Sequence, residues 1–151
     1  MLTRYPLRVI FFLTLCLGVV MTSFAQTPQD PLERNLWYNQ EKTAKVQIYK
    51  ATDGRFYGKI VWLKNPEENG KPKLDKNNPD KAKRSDPLLG MMILKGFKKD
   101  GENVYEDGTI YDPKNGKTYS CKMTHKDGKL DVRGYVGFSL LGRTTIWTKA
   151  E

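Results

Sequence analysis

Acidic and amide side chains are concentrated between Asp75 and Asp80. The run Asp75-Lys-Asn-Asn-Pro-Asp80 places oxygen atoms at alternate positions, as a calcium-binding loop does, and Asp86 stands at the twelfth position. An EF-hand loop needs glycine at its sixth position and a bidentate glutamate at its twelfth, whereas this chain has Asp80 and Asp86 there. We therefore interpret the run as a turn in which Asn78 and Asp80 cap the backbone and pair with Arg84, and we predict no metal site.

Two further motifs combine charged and aromatic side chains on or beside a strand. Tyr111 and Asp112 precede a proline, and Arg133 and Tyr135 flank a glycine. At one end of a barrel these side chains could meet as a polar clamp on the head group of a ligand. The alternative is structural, with Asp112 capping a turn and Arg133 pairing with an acid of a neighbouring strand. We predict these four residues, with Trp62 as an aromatic wall, as ligand-binding residues.

The usual nucleophiles and bases are too isolated to predict a reaction. His125 is the sole histidine and follows a strand into a turn, and one exposed ring does not make a zinc site. Cys121 alternates with Tyr119 and Met123 on an apolar face, which favours a buried, unreactive thiol over a nucleophile. The segment Gly137-Phe-Ser-Leu-Leu141 lacks the second glycine of a nucleophile elbow. We predict no catalytic residue and no cofactor.

Turn signals recur between short runs of β-branched and aromatic residues. The signals are dipeptides that supply the positive φ angles of tight turns: Asp53-Gly54, Asn69-Gly70, Asp100-Gly101, Asp107-Gly108, Asn115-Gly116 and Asp127-Gly128. Several runs alternate in polarity, and residues 56–63 would place Phe56, Ile60 and Trp62 on one face. Gly108 is expected to form a bulge within its strand.

About eight strands result, and no segment has a helical period with caps. The sequence therefore predicts an all-β fold, an antiparallel up-and-down barrel of about eight strands, with a two-sheet sandwich as the alternative. Alternation does not reveal which face points inward, so a hollow barrel and a packed one both remain open.

One segment, residues 64–87, interrupts the series of strands. It is polar and contains four prolines and seven basic residues. Loops of this length in a compact domain are usually functional or disordered. We predict that this long polar loop is a lid or a binding loop.

Residues 1–25 have the features of a cleavable signal peptide. Arg4 and Arg8 precede an almost unbroken apolar run over residues 9–20, and Ala25 provides the small residue at a cleavage site. The apolar run of about a dozen residues is shorter than the roughly 20 needed to cross a bilayer. We therefore expect an exported protein, periplasmic or secreted, with no membrane anchor after cleavage.

Removal of this leader would leave a flexible lead-in over residues 26–35 and a single domain over residues 36–151. Cys121 would be its only cysteine, so no internal disulfide could form. The formal net charge of +9 would fall to +7 with the loss of two arginines. Such a balance could favour nucleic acid, anionic lipid or an acidic glycan, but the basic residues are spread along the chain, which is typical of a solvated surface. Export further argues against nucleic acid as a partner.

An ordered set of motifs in this chain resembles a known family. The motifs are Asp75-Lys-Asn-Asn-Pro-Asp80, Arg84, Pro87-Leu-Leu-Gly90, Gly108-Thr-Ile-Tyr-Asp-Pro113, Gly116-Lys-Thr-Tyr119, Val132-Arg-Gly-Tyr135 and Thr145-Ile-Trp147. From about Trp37 to its end the chain is similar to the DUF2147 family of small exported bacterial proteins. Tyr105 stands where that family often has tryptophan, which we interpret as a packing substitution. The resemblance implies a lipocalin-like β-barrel and implies no activity.

The leading functional hypothesis is an exported, non-catalytic barrel that binds a small apolar or amphipathic molecule. The alternative is an envelope or protein-interaction module whose barrel is packed, and an open cavity separates the two. An enzyme is a third hypothesis, which requires Asp112, Arg133 and a tyrosine to converge in one pocket.

Overall fold

The runs of β-branched and aromatic residues form the strands of this protein in a computed structural model, which describes residues 28–150. The strands are β1 (Leu36–Tyr38), β2 (Ala44–Lys50), β3 (Phe56–Leu63), β4 (Glu67–Glu68), β5 (Lys71–Pro72), β6 (Met92–Asp100), β7 (Val104–Asp112), β8 (Lys117–Lys126), β9 (Lys129–Tyr135) and β10 (Gly142–Ala150). Single-turn 3₁₀ helices lie at Lys81–Lys83 and Ser139–Leu141. The predicted signal peptide, residues 1–25, lies outside the described residues.

Eight of these strands form a closed antiparallel barrel in the order β1-β10-β9-β8-β7-β6-β3-β2. The circle closes because β1 pairs on one side with β10 and on the other with β2. β4 and β5 form a separate two-stranded hairpin in the long connection between β3 and β6. The predicted all-β, eight-stranded up-and-down barrel is confirmed. Within residues 28–150 no helix is long and apolar enough to cross a lipid bilayer.

The connections between strands fall at two ends of the barrel. We call closed end the one that carries the segments 28–35, 51–55, 101–103 and 127–128. We call open end the one that carries the segments 39–43, 64–91, 113–116 and 136–141. Successive connections alternate between the ends because every barrel strand runs antiparallel to its neighbours.

Four of the six predicted turn dipeptides lie in connections, the dipeptide Asp100-Gly101 spans the end of β6, and the sixth lies inside β7. There Asp107 has a φ of 59°, and the pairing with β8 shifts register between Tyr105 and Gly108, which is the predicted bulge. A Cβ atom on Gly108 would come within 2.4 Å of the ring of Phe97. Glycine is therefore required at this position because the aromatic ring of β6 occupies the space of a side chain.

A second bulge reverses the predicted face of Trp62. Lys45 pairs with Trp62 whereas the next residue of β2, Val46, pairs with Ile60, so β3 has one extra residue at this point. The Trp62 side chain consequently points to the outer surface, where it is 37% exposed and packs edge to face against Tyr38. The prediction that Trp62 shares a face with Phe56 and Ile60 was wrong, because one inserted residue shifts every later side chain to the opposite face.

The N-terminal segment packs against the closed end instead of forming the flexible lead-in that was predicted for residues 26–35. In its described part, residues 28–35, Leu32 is completely buried. Its carbonyl accepts a hydrogen bond of 3.0 Å from Nε1 of Trp37. The sequence did not indicate this packing because a single leucine among polar residues and prolines has no periodicity.

Asp30 attaches the N-terminal segment to the barrel through hydrogen bonds. It accepts hydrogen bonds from the Tyr105 hydroxyl at 2.6 Å and from Nζ of Lys99 at 2.7 Å. Burial alone would raise the pKa of Asp30, but the bonds from Lys99, Tyr105 and the Leu32 amide hold it below its ordinary value. Tyr105 is fully buried, as a packing substitution requires, and its hydroxyl gives the segment a polar attachment.

The closed half of the barrel is filled by large side chains. The fully buried ones include Leu32, Trp37, Ile48, Phe56, Phe97, Tyr105, Met123 and Leu130. Phe56 and Tyr105 meet edge to face, with ring centroids 5.0 Å apart. These side chains form much of the hydrophobic core.

Candidate functional site

A cavity of about 860 Å³ occupies the open half of the barrel. Its inner wall is made by apolar side chains from six strands: Val46, Ile60, Ile93, Ile110, Val132 and Trp147. The aromatic residues of the closed half lie below it and prevent it from becoming a channel through the barrel. The cavity therefore lies on one side only, above buried core side chains, and opens to solvent at the open end.

The cavity exists because the inner positions of the open half carry small or branched side chains. Gly134 is one of these positions and contributes no side chain at all. A Cβ atom there would lie 3.5 Å from Cγ2 of Ile110 and 3.6 Å from Cβ of Tyr119, which are ordinary contact distances. A larger residue at position 134 would fit the backbone and would occupy part of the cavity.

The rim of the cavity is polar, in contrast to its inner wall. Among the rim residues, Lys76 pairs with Glu68, and Nζ of Lys114 lies 2.9 Å from Glu41. The rim also contains basic side chains that form no ion pair with any residue of the range 28–150: Lys64, Lys73 and Arg143. The rim can thus make polar contacts with a head group, and its basic side chains place positive charge beside it.

The Tyr111 side chain anchors the long connection to the barrel. Its hydroxyl donates to Asp75, lying 2.8 and 2.9 Å from the two carboxyl oxygens, and Nδ2 of Asn78 lies 2.6 Å from the same group. Asp75 is completely buried. Burial, reinforced by the bond to Asp75, raises the pKa of Tyr111 to about 12. The Tyr111 hydroxyl therefore remains protonated, and its hydrogen bond to Asp75 holds residues 64–91 across the mouth of the cavity.

The remaining residues of the run that begins at Asp75 cap the backbone and bond to one another. Oδ1 of Asn78 accepts from the Asp80 amide at 2.9 Å, and Oδ1 of Asp80 accepts from the Ala82 amide at 3.0 Å. Nε of Arg84 donates to the carbonyl oxygen of Asn78 at 2.8 Å. The predicted backbone caps are thus present, but Arg84 contacts a carbonyl group where a carboxylate was expected. No three acidic, cysteine or histidine side chains in the described part of the chain are grouped as metal ligands.

Arg133 lies outside the cavity and supports the β9–β10 connection. Its Nε donates to the Ser139 carbonyl at 2.7 Å, its Nη2 to the Leu140 carbonyl at 3.2 Å, and its Nη1 to the Thr144 hydroxyl at 2.9 Å. All three nitrogens of its guanidinium group thus have structural partners. The predicted partner, an acid of a neighbouring strand, is replaced by backbone carbonyls.

The predicted polar clamp is therefore only partly assembled. Tyr111, Asp112 and Tyr135 line the mouth of the cavity, whereas Trp62 and Arg133 do not. Asp112 accepts a hydrogen bond of 2.9 Å from the Lys114 amide and so acts as a turn cap. Within residues 28–150 no hydrogen bond or ion pair joins Asp112 to Arg133.

Two reactive residue types do not line the cavity. The His125 ring packs edge to face on Trp37 at 5.6 Å, and its Nε2 is buried without a hydrogen-bond partner in residues 28–150. Burial, and then the charge of Lys149, lower the pKa of His125. The expectation of an exposed histidine is only partly correct, because His125 is half-buried and its ring packs on Trp37. Cys121 is completely buried, and burial raises the pKa of its thiol to about 12, as suits an unreactive cysteine.

Sequence reasoning missed an exposed apolar loop at the open end. Residues 136–141, which we call the apolar tip, expose four large apolar side chains: Val136, Phe138, Leu140 and Leu141. Val136 and Leu141 also line the mouth of the cavity. The sequence did contain a sign of this loop. The apolar run Val-Gly-Phe-Ser-Leu-Leu lies between two strands, where polar turn residues are usual.

Comparisons with known proteins agree with this architecture. A family model described as "Uncharacterized protein conserved in bacteria (DUF2147)" matches residues 35–149. Among solved structures, the chain is similar to protein HP1028 from Helicobacter pylori, described as belonging to the lipocalin family. The TM-score is 0.68 and the identity 23%, over 78% of this chain and 82% of that one. At this identity the likeness shows the fold alone. None of the curated proteins matches the chain.

Proposed function

This chain belongs to the DUF2147 family, and from that premise we propose that it is an exported, non-catalytic barrel that binds one small apolar or amphipathic molecule. Neither the family nor the lipocalin-like fold specifies a ligand, so the support for binding comes from the site itself. The single observation that carries it is the cavity at the open end. A barrel whose role needed only its outer surface would gain stability by filling that space.

The dimensions and walls of the cavity suit a small organic molecule. A volume of about 860 Å³ is within the range of ligand sites, which runs from about 300 to 1,000 Å³. Apolar walls favour the transfer of hydrocarbon surface from water, at roughly 25 cal/mol for each Å² that is buried. The ligand would therefore place its apolar part against the partly exposed lining residues Leu63, Leu74 and Ile110.

The polar rim suits the other end of an amphipathic ligand. Lys64, Lys73 and Arg143 have no acidic partner within residues 28–150, so they can neutralise a negative head group without breaking an existing ion pair. Lys73 is only partly exposed, which strengthens its interaction with a charge placed beside it. This arrangement favours an anionic amphiphile over a cationic one of the same size.

The alternative hypotheses lack this support. A packed interaction module would have no open cavity, whereas a carrier would have one. This barrel contains an open cavity. The enzyme hypothesis required Asp112, Arg133 and a tyrosine to converge. Arg133 instead donates to the carbonyls of Ser139 and Leu140.

The export part of the proposal rests on the sequence of residues 1–25. The two arginines, the apolar run and Ala25 support cleavage that leaves Gln26 as the first residue. The intact mass of the protein isolated from its native compartment tests this directly. A mass that includes residues 1–25 would overturn export by cleavage and would leave the ligand proposal standing.

Filling the cavity tests the ligand proposal. Anilinonaphthalene sulfonate, an apolar ring system with an anionic group, matches both walls and rim and becomes fluorescent when it is bound. Replacing Gly134→Leu should weaken its binding by about tenfold or more, since the new side chain occupies the space of the ligand. The matched control is Ser120→Leu, which adds the same side chain on the exposed outer face of β8.

The outcomes of this experiment are distinct. Weakened binding in the Gly134 variant, with the control and wild type equal, supports a ligand inside the barrel. Equal binding in all three proteins would show that the dye occupies an outer surface and would contradict the proposal. Circular dichroism and the unfolding midpoint of each variant establish that the barrel is intact.

A further inference from the structure

The apolar tip exposes more hydrocarbon than a loop in water normally does. Phe138 is 79% exposed and Leu140 is 88% exposed, and Val136 and Leu141 lie beside them. No residue of the range 136–141 carries a charge. Contiguous exposed apolar side chains mark sites of contact with another molecule or with a membrane.

This loop is held in place by specific bonds. Two nitrogens of Arg133 donate to the carbonyls of Ser139 and Leu140, and the Leu141 amide donates to the Phe138 carbonyl at 3.0 Å. Directly below the loop, β9 and β10 pair from Tyr135 and Gly142 onward. The exposed side chains are therefore projected outward by a braced turn, and they cannot fold back without breaking these bonds.

The connections at the open end carry a net positive charge. They contain nine basic and six acidic residues, a net charge of +3. Arg143, which is exposed, follows the apolar tip directly. The tip thus lies at an end of the barrel whose connections are positively charged.

We propose that the apolar tip docks into the surface of an anionic lipid bilayer, so that the mouth of the cavity faces the membrane. Apolar side chains at such a surface enter the boundary between head groups and acyl chains. Basic residues near anionic lipids strengthen this binding. The apolar tip supplies the insertion and the open-end basic residues supply the attraction, and both lie at the same end of the barrel.

Charge complementarity favours a bilayer over a second copy of this chain. A symmetric contact between two tips would bring two positive ends face to face, whereas an anionic membrane attracts that end. The docking also places Val136 and Leu141 between lipid and cavity, so an apolar molecule could move between them without crossing water. The bilayer contact itself requires no ligand and does not depend on the proposed function.

Flotation with lipid vesicles tests the proposal. The mature protein should bind vesicles of equal parts phosphatidylcholine and phosphatidylglycerol, bind less at high salt, and bind weakly to phosphatidylcholine alone. The double variant Phe138→Ser/Leu140→Ser should lose about a hundredfold in partitioning, because two large apolar side chains no longer leave water. The matched control is Ile146→Ser, which removes an exposed apolar side chain from the outer face of β10, outside the tip.

Each other outcome would overturn the proposal. Equal flotation of the tip variant and the wild type would indicate attraction by charge alone, without insertion. A wild type that does not float, but forms a dimer which the tip variant abolishes in light scattering, would identify a second copy as the occupant. The Gly134→Leu variant should float normally, so failure of ligand binding and failure of membrane docking can be told apart.

Discussion

The carboxyl group of Asp75 is completely buried, and its side-chain partners are Tyr111 and Asn78. Because a buried polar group that loses its partner pays its full desolvation cost, Tyr111→Phe should lower the free energy of unfolding by about 1–3 kcal/mol. Chemical denaturation measures this loss. In the control Tyr119→Phe, which removes a hydroxyl bonded to the exposed Asn115, the loss should stay below about 1 kcal/mol. Equal losses would contradict the anchoring role of Tyr111.

His125 gives a second prediction at this scale, on pH. Since burial lowers the pKa of His125 in the folded protein, the unfolded chain takes up the proton first as the pH falls below about 6.5. Stability should therefore decline from about pH 6.5 downward and level off below the folded pKa. His125→Phe, which keeps a ring against Trp37, should remove this slope in unfolding experiments between about pH 7 and pH 5. An unchanged slope would contradict this role of His125. Asp30 cannot account for it, since its lowered pKa affects stability only at more acidic pH.

Individual site residues could be predicted only where their chemistry is local. The turn caps of Asn78, Asp80 and Asp112 depend on neighbours in the sequence, and the sequence indicated them. The bonds of Arg133 to Ser139 and of Tyr111 to Asp75 depend on how distant segments meet. Their residue types alone did not specify those partners.

At the scale of elements, the N-terminal segment is the clearest departure from the sequence-based expectation. Leu32 fills the closed end, so Leu32→Ala should destabilise the protein by about 2–5 kcal/mol, as large-to-small changes in a core do. Thermal or denaturant unfolding measures the effect. Leu140→Ala serves as control, because that leucine is exposed in the apolar tip and its loss should cost almost nothing. A small effect at Leu32 would show that residues 28–35 do not contribute to the core in solution.

Strands and turns differ in how far the sequence determines them. Four turn dipeptides form connections because glycine, asparagine and aspartate accept positive φ by their own chemistry. The faces of the strands are less certain, since the bulge beside Trp62 depends on the register with β2. Both bulges in β3 and β7 reposition side chains, but only the one at Gly108 had a signal in the sequence.

At the scale of the whole molecule, the barrel was predictable and its hollow half was not. Neighbouring strands in an up-and-down barrel are also neighbours in the sequence, so short-range patterns suffice to predict the meander. The volume left inside depends on which small side chains meet across the barrel, which alternation does not encode. The net positive charge of the open end was easier to foresee, because seven of its basic residues lie together in residues 64–87.

The pairing of β1 with β10 has a consequence for how the molecule is made. Leu36 lies opposite Ala150, so the contact that closes the barrel joins the two extremes of the described chain. Contacts between residues so far apart form late, because the loop that they close is long. During synthesis the growing chain cannot complete its fold until the last strand has emerged. A chain truncated before β10 would retain two unpaired strand edges, on β1 and β9, and such edges template aggregation.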